Sequence, residues 1–263
     1  MSLNKGVIPA ERDDDLFIGW AKAPAIDRRF LFGAAPLLLG ATTGLGWLVA
    51  KNLSDPGAGK WDTTATHVIE GALSAKPYPM IRVADPSAPF GMRTVLVVAQ
   101  GKCTSGLDLA AKEGIPVKAS GALIERNGRQ MLEVPFSLDK WLEPVFIDMP
   151  GVVADPPEER LGRFALAGRI MDSKCFFGVM RPGRGKTHKA CAALCIRGGV
   201  PPSFWARDGK GRESVLLMTD AAGGPLGEDI LPLVADPVSA DGEIVRVGDL
   251  LQFRADTDAY RRV

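Results

Sequence analysis

The run Val117–Val134, VKASGALIERNGRQMLEV, decides how most of this chain is read. Val117–Ile124 and Gln130–Val134 are strand-like, and they flank Arg126-Asn127-Gly128-Arg129. Asn-Gly tolerates positive φ at both centres of a two-residue turn, so the run predicts a β-hairpin. Outward from it lie further short apolar runs: Thr94–Ala99 (TVLVVA), Phe164–Met171 (FALAGRIM), Ser214–Thr219 (SVLLMT) and Leu250–Ala255 (LLQFRA). Ile244–Asp249 reads as the approach to a turn, and Leu107–Lys112 as a short helix. Thirty glycines and twenty prolines favour many turns and short strands over long helices. The fold class expected is mainly β with short helices.

The phrase GEIVRVGDLL (Gly242–Leu251) is similar to small barrel domains in which a strand runs into an xGD turn. The two halves also resemble each other. Each has a strand, then Lys-Cys (Lys102-Cys103 and Lys174-Cys175), a glycine-containing loop, a short helix and more strands. One or two OB-like five-stranded barrels are therefore expected, as a degenerate duplication or as a chance likeness.

Phe30–Ala50, FLFGAAPLLLGATTGLGWLVA, is 21 residues without a charge. At 1.5 Å per residue it spans about 30 Å, enough for one transmembrane helix. Trp20 and Trp47 suit the two interfaces, and Arg28-Arg29 with nearby Lys22 outweigh Lys51 and Lys60, which places the N-terminus inside. The expected plan is a cytoplasmic or interfacial segment (1–29), the membrane helix (30–50), a linker and extended segment (51–92), a first β domain (93–150) and a second (151–263). Asn52–Lys60, the proline-bearing Lys76–Gly91 and Pro150–Arg160 mark the joints, and Asp15–Ala25 suits the inner interface or a partner subunit. A bacterial inner-membrane protein with a periplasmic soluble part follows.

With 32 basic and 31 acidic residues the net charge is +1, so no global field draws the chain to nucleic acid. Gly185-Lys186-Thr187 ends like a phosphate-binding loop, but Met180 stands where its first glycine belongs, which excludes nucleotide hydrolysis. Two histidines, His67 and His188, leave little for a triad enzyme. No paired carboxylates or open catalytic metal set appears, so the reading is non-enzymatic.

The chemistry gathers in Gly168–Phe204, with the spacing Cys175-x12-His188-x2-Cys191-x3-Cys195. Thr187–Ile196 is helix-like and ends at Gly198-Gly199. His188, Cys191 and Cys195 then fall at i, i+3 and i+7 on one face. With Cys175 they form a set suited to one metal ion: tetrahedral zinc first, copper or iron as other fits. Asp172 is placed to orient His188. Phe176, Phe177 and Phe204 could shield the site. The competing reading is disulfide, Cys175 with Cys191 or Cys195 and Cys103 as the remaining partner, because neighbouring cysteines outside the cytoplasm oxidise. Arg181, Arg184, Lys186 and Lys189 make the loop basic, fit to dock an acidic partner or an anion.

The pattern D-x-x-C-[FY]…G-x-x-H-x-x-C-A-x-x-C-I-x-x-G-x-P is carried by Asp172, Cys175, Phe176, Gly185, His188, Cys191, Ala192, Cys195, Ile196, Gly199 and Pro201. Over about 40 residues it resembles a motif of poorly characterised extracytoplasmic bacterial proteins. The resemblance implies location and the importance of the motif, and no reaction. Two functions fit the whole: an accessory subunit of a membrane redox or respiratory complex, with the bilayer and other integral membrane subunits as partners, or a free-standing protein handling copper, zinc, haem or thiol redox.

Overall fold

The structure, a computed structural model, describes residues 25–52, 59–104, 107–145, 156–178, 180, 183–207 and 213–263. Trp20, Lys22 and most of the expected interfacial segment and linker lie outside them. The chain divides into two units, Met1–Pro56 and Gly57–Val263.

In the first unit, helix α1 (Ala25–Arg29) passes through a π-helical turn (Phe30–Ala34) into α2 (Ala35–Asn52). The widened turn has a cause. Pro36 has no N–H to donate, and its ring crowds the carbonyl four residues back, so the ladder slips just ahead of it. Asp27–Trp47 is 21 residues long and apolar enough to cross a membrane. Phe32, Leu37, Leu39 and Trp47 on it are exposed. The hydroxyl of Thr42 donates back to the Leu38 carbonyl (2.8 Å), which satisfies it without water.

The second unit holds two closed five-stranded barrels, as expected. The first contains β1 (Lys60–Ser74), β2 (Met80–Ala84), β3 (Met92–Ala99), β4 (Pro116–Arg126) and β5 (Arg129–Val134), in the order β1-β2-β3-β5-β4 with β4 closing on β1. A short β6 (Leu142–Pro144) adds to β4. The second contains β7 (Glu158–Asp172), β8 (Pro202–Arg207), β9 (Glu213–Thr219), β10 (Pro237–Val247) and β11 (Leu250–Arg254) in the same order, with β12 (Tyr260–Arg262) on β10. The hairpin is β4–β5: Asn127 and Gly128 turn at φ 50° and 74°, and Arg126 pairs with Arg129. One expectation is corrected. The first β domain does not begin at residue 93, because β1 and β2, within the segment expected to be merely extended, are two of the first barrel's walls.

The two barrels repeat one plan in one register. Pro116-Val-x-Ala-x-Gly121 on β4 matches Pro237-Val-x-Ala-x-Gly242 on β10. Val117 and Ala119 face one interior, as Val238 and Ala240 face the other. Val117 pairs with Gly71 on β1, and Val238 with Gly168 on β7. Leu123 pairs with Leu132, and Ile244 with Phe253. The likeness between the two Lys-Cys pairs is out of this register. Lys102-Cys103 follows the third strand of its barrel, whereas Lys174-Cys175 follows the first strand of the other.

Gly168 pairs with Val238 on β10 and Ala206 on β8, and Gly71 pairs with Val117 on β4. A Cβ at Gly168 would fall inside contact of the Trp205 carbonyl oxygen, and one at Gly71 inside contact of that of Arg82. Replacing Gly168 with alanine should therefore cost about 1–3 kcal/mol by forcing the β7–β8 pair apart. Urea unfolding of the detergent-solubilised chain, followed by tryptophan fluorescence, measures it.

Three apolar clusters result. One fills each barrel, and the stacked rings of Phe204 and Phe253 (5.4 Å between centroids) centre the second. The third lies between the barrels. Met80, Leu96, Val98 and Met131, on the outside of β2, β3 and β5, pack against Met171, Leu217, Leu250 and the Cys/His segment.

Candidate metal centre

The Cys/His segment is the connection from β7 to β8. It begins at Asp172, a fully buried residue whose Oδ1 accepts the Cys175 N–H (2.8 Å) and so caps the short helix α3 (Ser173–Phe177). Ser173 Oγ reaches the Pro201 carbonyl (2.7 Å) and Ser203 Oγ (2.7 Å), closing the loop on itself. A 3₁₀ turn (Lys186–His188) leads into α4 (Lys189–Arg197). That helix stops at Gly198, and Gly199 turns at φ 95° while Val200 N–H returns to the Cys195 carbonyl (3.0 Å). Of the three residues expected on one helix, Cys191 and Cys195 lie on α4 and His188 ends the 3₁₀ turn before it.

Cys175, His188 and Cys191 place one ligand atom each within 4.8 Å of one another, and so do Asp172, Cys175 and Cys195. The expected four ligands thus gather as two trios that share Cys175. The Cys175 and Cys191 sulfurs are 3.9 Å apart. A tetrahedral ion with metal–sulfur bonds of about 2.3 Å has ligand edges of about 3.8 Å, whereas a disulfide needs about 2.05 Å. His188 Nε2 lies 3.1 Å from Asp172 Oδ2, the contact expected of an orienting carboxylate, and leaves Nδ1 available for a metal. The Cys/His group can hold a metal ion. No disulfide joins the cysteines. All four are free, and Cys103, the candidate fourth partner, belongs to neither trio.

The hydrogen bond between Cys175 and Cys195 shapes the thiols. The Cys195 sulfur accepting its hydrogen bond, then desolvation and the Asp172 carboxylate, push Cys175 well above the ordinary thiol range. The same bond pulls Cys195 down against its own burial, with the Lys102 ammonium helping.

Two lysines that sequence reasoning passed over as site residues complete the surroundings. Lys102, on the loop after β3, donates to Cys191 Sγ at 2.6 Å. Lys174 is 1% exposed and points the other way. Its ammonium meets Glu133 Oε1 (2.6 Å) and the carbonyls of Ala99 (2.7 Å) and Gly101 (2.8 Å), and lies 5.3 Å from the Trp61 ring centre. The barrels therefore exchange lysines across the seam. The only available signal was the Lys-Cys pair in each half.

Phe176 and Phe177 shield the centre, and the Arg126 guanidinium covers Phe176 at 4.5 Å. Phe204 instead fills the second barrel. Of the basic loop, Arg184 lies on Trp205 (4.3 Å) and pairs with Glu213, and Lys189 pairs with Asp236 (2.7 Å), so both serve the fold. Lys186 is exposed, and Arg181 lies outside the described residues. No protein-family model matches the chain, and no curated protein matches it.

Proposed function

We propose that this chain is a single-pass protein of the bacterial inner membrane, N-terminus in the cytoplasm and barrels in the periplasm. It serves as a non-catalytic accessory subunit of a membrane redox or respiratory complex. Cys175, His188, Cys191 and Cys195 hold one zinc ion, and the ion is structural. The observation that carries this reading is the placement of the Cys/His centre. Cys175, His188 and Cys195 are buried in the seam where both barrels lock, which suits a resident ion better than an exchanged one. The apolar helix supports the membrane side of the reading, since it confines the chain beside other membrane proteins.

Purification of the full chain in mild detergent from cells expressing it at native level tests this. Integral membrane proteins co-purifying at fixed ratio, with about one zinc per chain, support the reading. A monodisperse monomer without metal sinks it. A second reading, a free-standing thiol-redox or metal-handling protein, is favoured by Cys191, which is only partly buried and 3.9 Å from Cys175. Rapid loss of the ion to a competing thiol chelator, from a chain without partners, would select it.

A further inference from the structure

The metal reading leaves a charge problem, and the fold contains an answer to it. Three thiolates and a divalent ion carry one net negative charge, with neutral His188 adding none. A buried charge of that kind is costly unless paired. Asp172, whose oxygens face the Cys175 N–H and His188, adds a negative charge and cannot supply the balancing one. The nearby cation is Lys102, 2.6 Å from Cys191 Sγ.

We infer that Lys102 is a positioning residue of the metal centre: its ammonium balances the bound thiolates, favours a divalent over a monovalent ion, and ties metal occupancy to the seating of the first barrel. The inference rests on the metal reading. With a monovalent copper ion the same three thiolates would leave two negative charges and Lys102 would cancel only one. With zinc, Lys102 cancels the net charge of the ion and its three thiolates, which leaves only the Asp172 carboxylate, held by the Cys175 N–H and His188. The seating follows from the backbone around Lys102. Thr104 N–H donates to the Gly198 carbonyl (2.6 Å), at the end of the ligand-bearing α4. Gly198 is a glycine because any Cβ there would collide with the Lys102 carbonyl and crowd Cys103. Lys174, beside ligand Cys175, donates to the Ala99 and Gly101 carbonyls of the same loop. The stretch from Ala99 to Thr104 is therefore held by Lys174, next to Cys175, and by Gly198, three residues after Cys195. Filling the centre fixes Cys191, Cys191 fixes Lys102, and Lys102 fixes the loop.

The test uses the full chain in detergent, reduced, stripped of metal and titrated with Co(II), with Zn(II) in competition. Wild-type protein should show thiolate-to-cobalt charge-transfer absorption at one ion per chain. Lys102→Gln should weaken binding by about 10- to 100-fold, and Lys102→Arg, which keeps the charge, should recover most of it. On the wild type alone, hydrogen exchange of the Thr104 amide should slow when Zn(II) binds, a readout that needs no variant to fold. Equal cobalt affinity in wild type and Lys102→Gln overturns the inference, as does a Thr104 amide indifferent to zinc. A wild-type chain with no charge-transfer band overturns the metal reading itself, so the two failures are separable.

Discussion

Replacing Lys174 with methionine should lower the unfolding free energy by about 3–5 kcal/mol. The side chain is surrounded by protein, and its ammonium satisfies three acceptors at once: Glu133 and the carbonyls of Ala99 and Gly101. Methionine fills much the same volume but takes the ammonium away from those three acceptors, with a carboxylate among them that is only 10% exposed. Trp61 Nε1 still donates to Glu133 Oε2 (3.2 Å), which is too little to hold a buried negative charge. Pairing Lys174→Met with Glu133→Leu should restore part of the loss, because the orphaned charge is then gone. Urea unfolding of the four proteins of that cycle measures the coupling. A single variant within about 1 kcal/mol of wild type would mean the pair is not a lock.

The second large effect belongs to Cys175→Ser. Cys175 is common to both ligand trios found among the described residues, so its loss breaks both. Metal content should fall from about one ion per chain to background, a greater loss than the 10- to 100-fold expected for an orienting residue. Stability should follow by mass action, because an ion that binds only the folded chain raises its melting temperature. A strong chelator should therefore lower the wild-type midpoint and leave that of Cys175→Ser unchanged. Asp172→Asn keeps the cap on Cys175 and changes only the partner of His188, so it should lose far less metal than Cys175→Ser. Equal metal content in Cys175→Ser and wild type, by elemental analysis, would remove the centre from further consideration.

Much of the fold is legible because its signals are local. Asn127-Gly128 reports a hairpin through backbone freedom alone, and the aliphatic runs report strands through composition. β1 and β2 were missed for physical reasons. The first half of β1, KWDTTATH, is polar and lies outside the buried core, with a register shift between Asp62 and His67. Pro77 and Pro79 stand immediately before β2, and proline argues against a strand until the partner edges are known. The repeat was legible at Pro116 and Pro237 in strands of equal length, yet the more conspicuous Lys-Cys pairs pointed to the wrong register. The ligand set was readable because Cys191 and Cys195 lie on α4 and His188 immediately precedes it, close together in sequence. Lys102 was not, because 89 positions separate it from Cys191 and only the packing of the barrels brings them together.

The covered outer walls have a further consequence. Small barrels of this kind commonly read their ligands across the surface of the second and third strands. Here that surface of each barrel is turned inward against the other, so the molecule has exchanged a recognition platform for internal cohesion. That leaves the rims, the connecting loops and the walls turned away from the seam, where Leu161 and Phe164 of β7 are exposed, to meet other molecules. The rims and loops are the parts that vary most freely without disturbing a barrel, and they let one rigid frame acquire new contacts while its centre stays fixed.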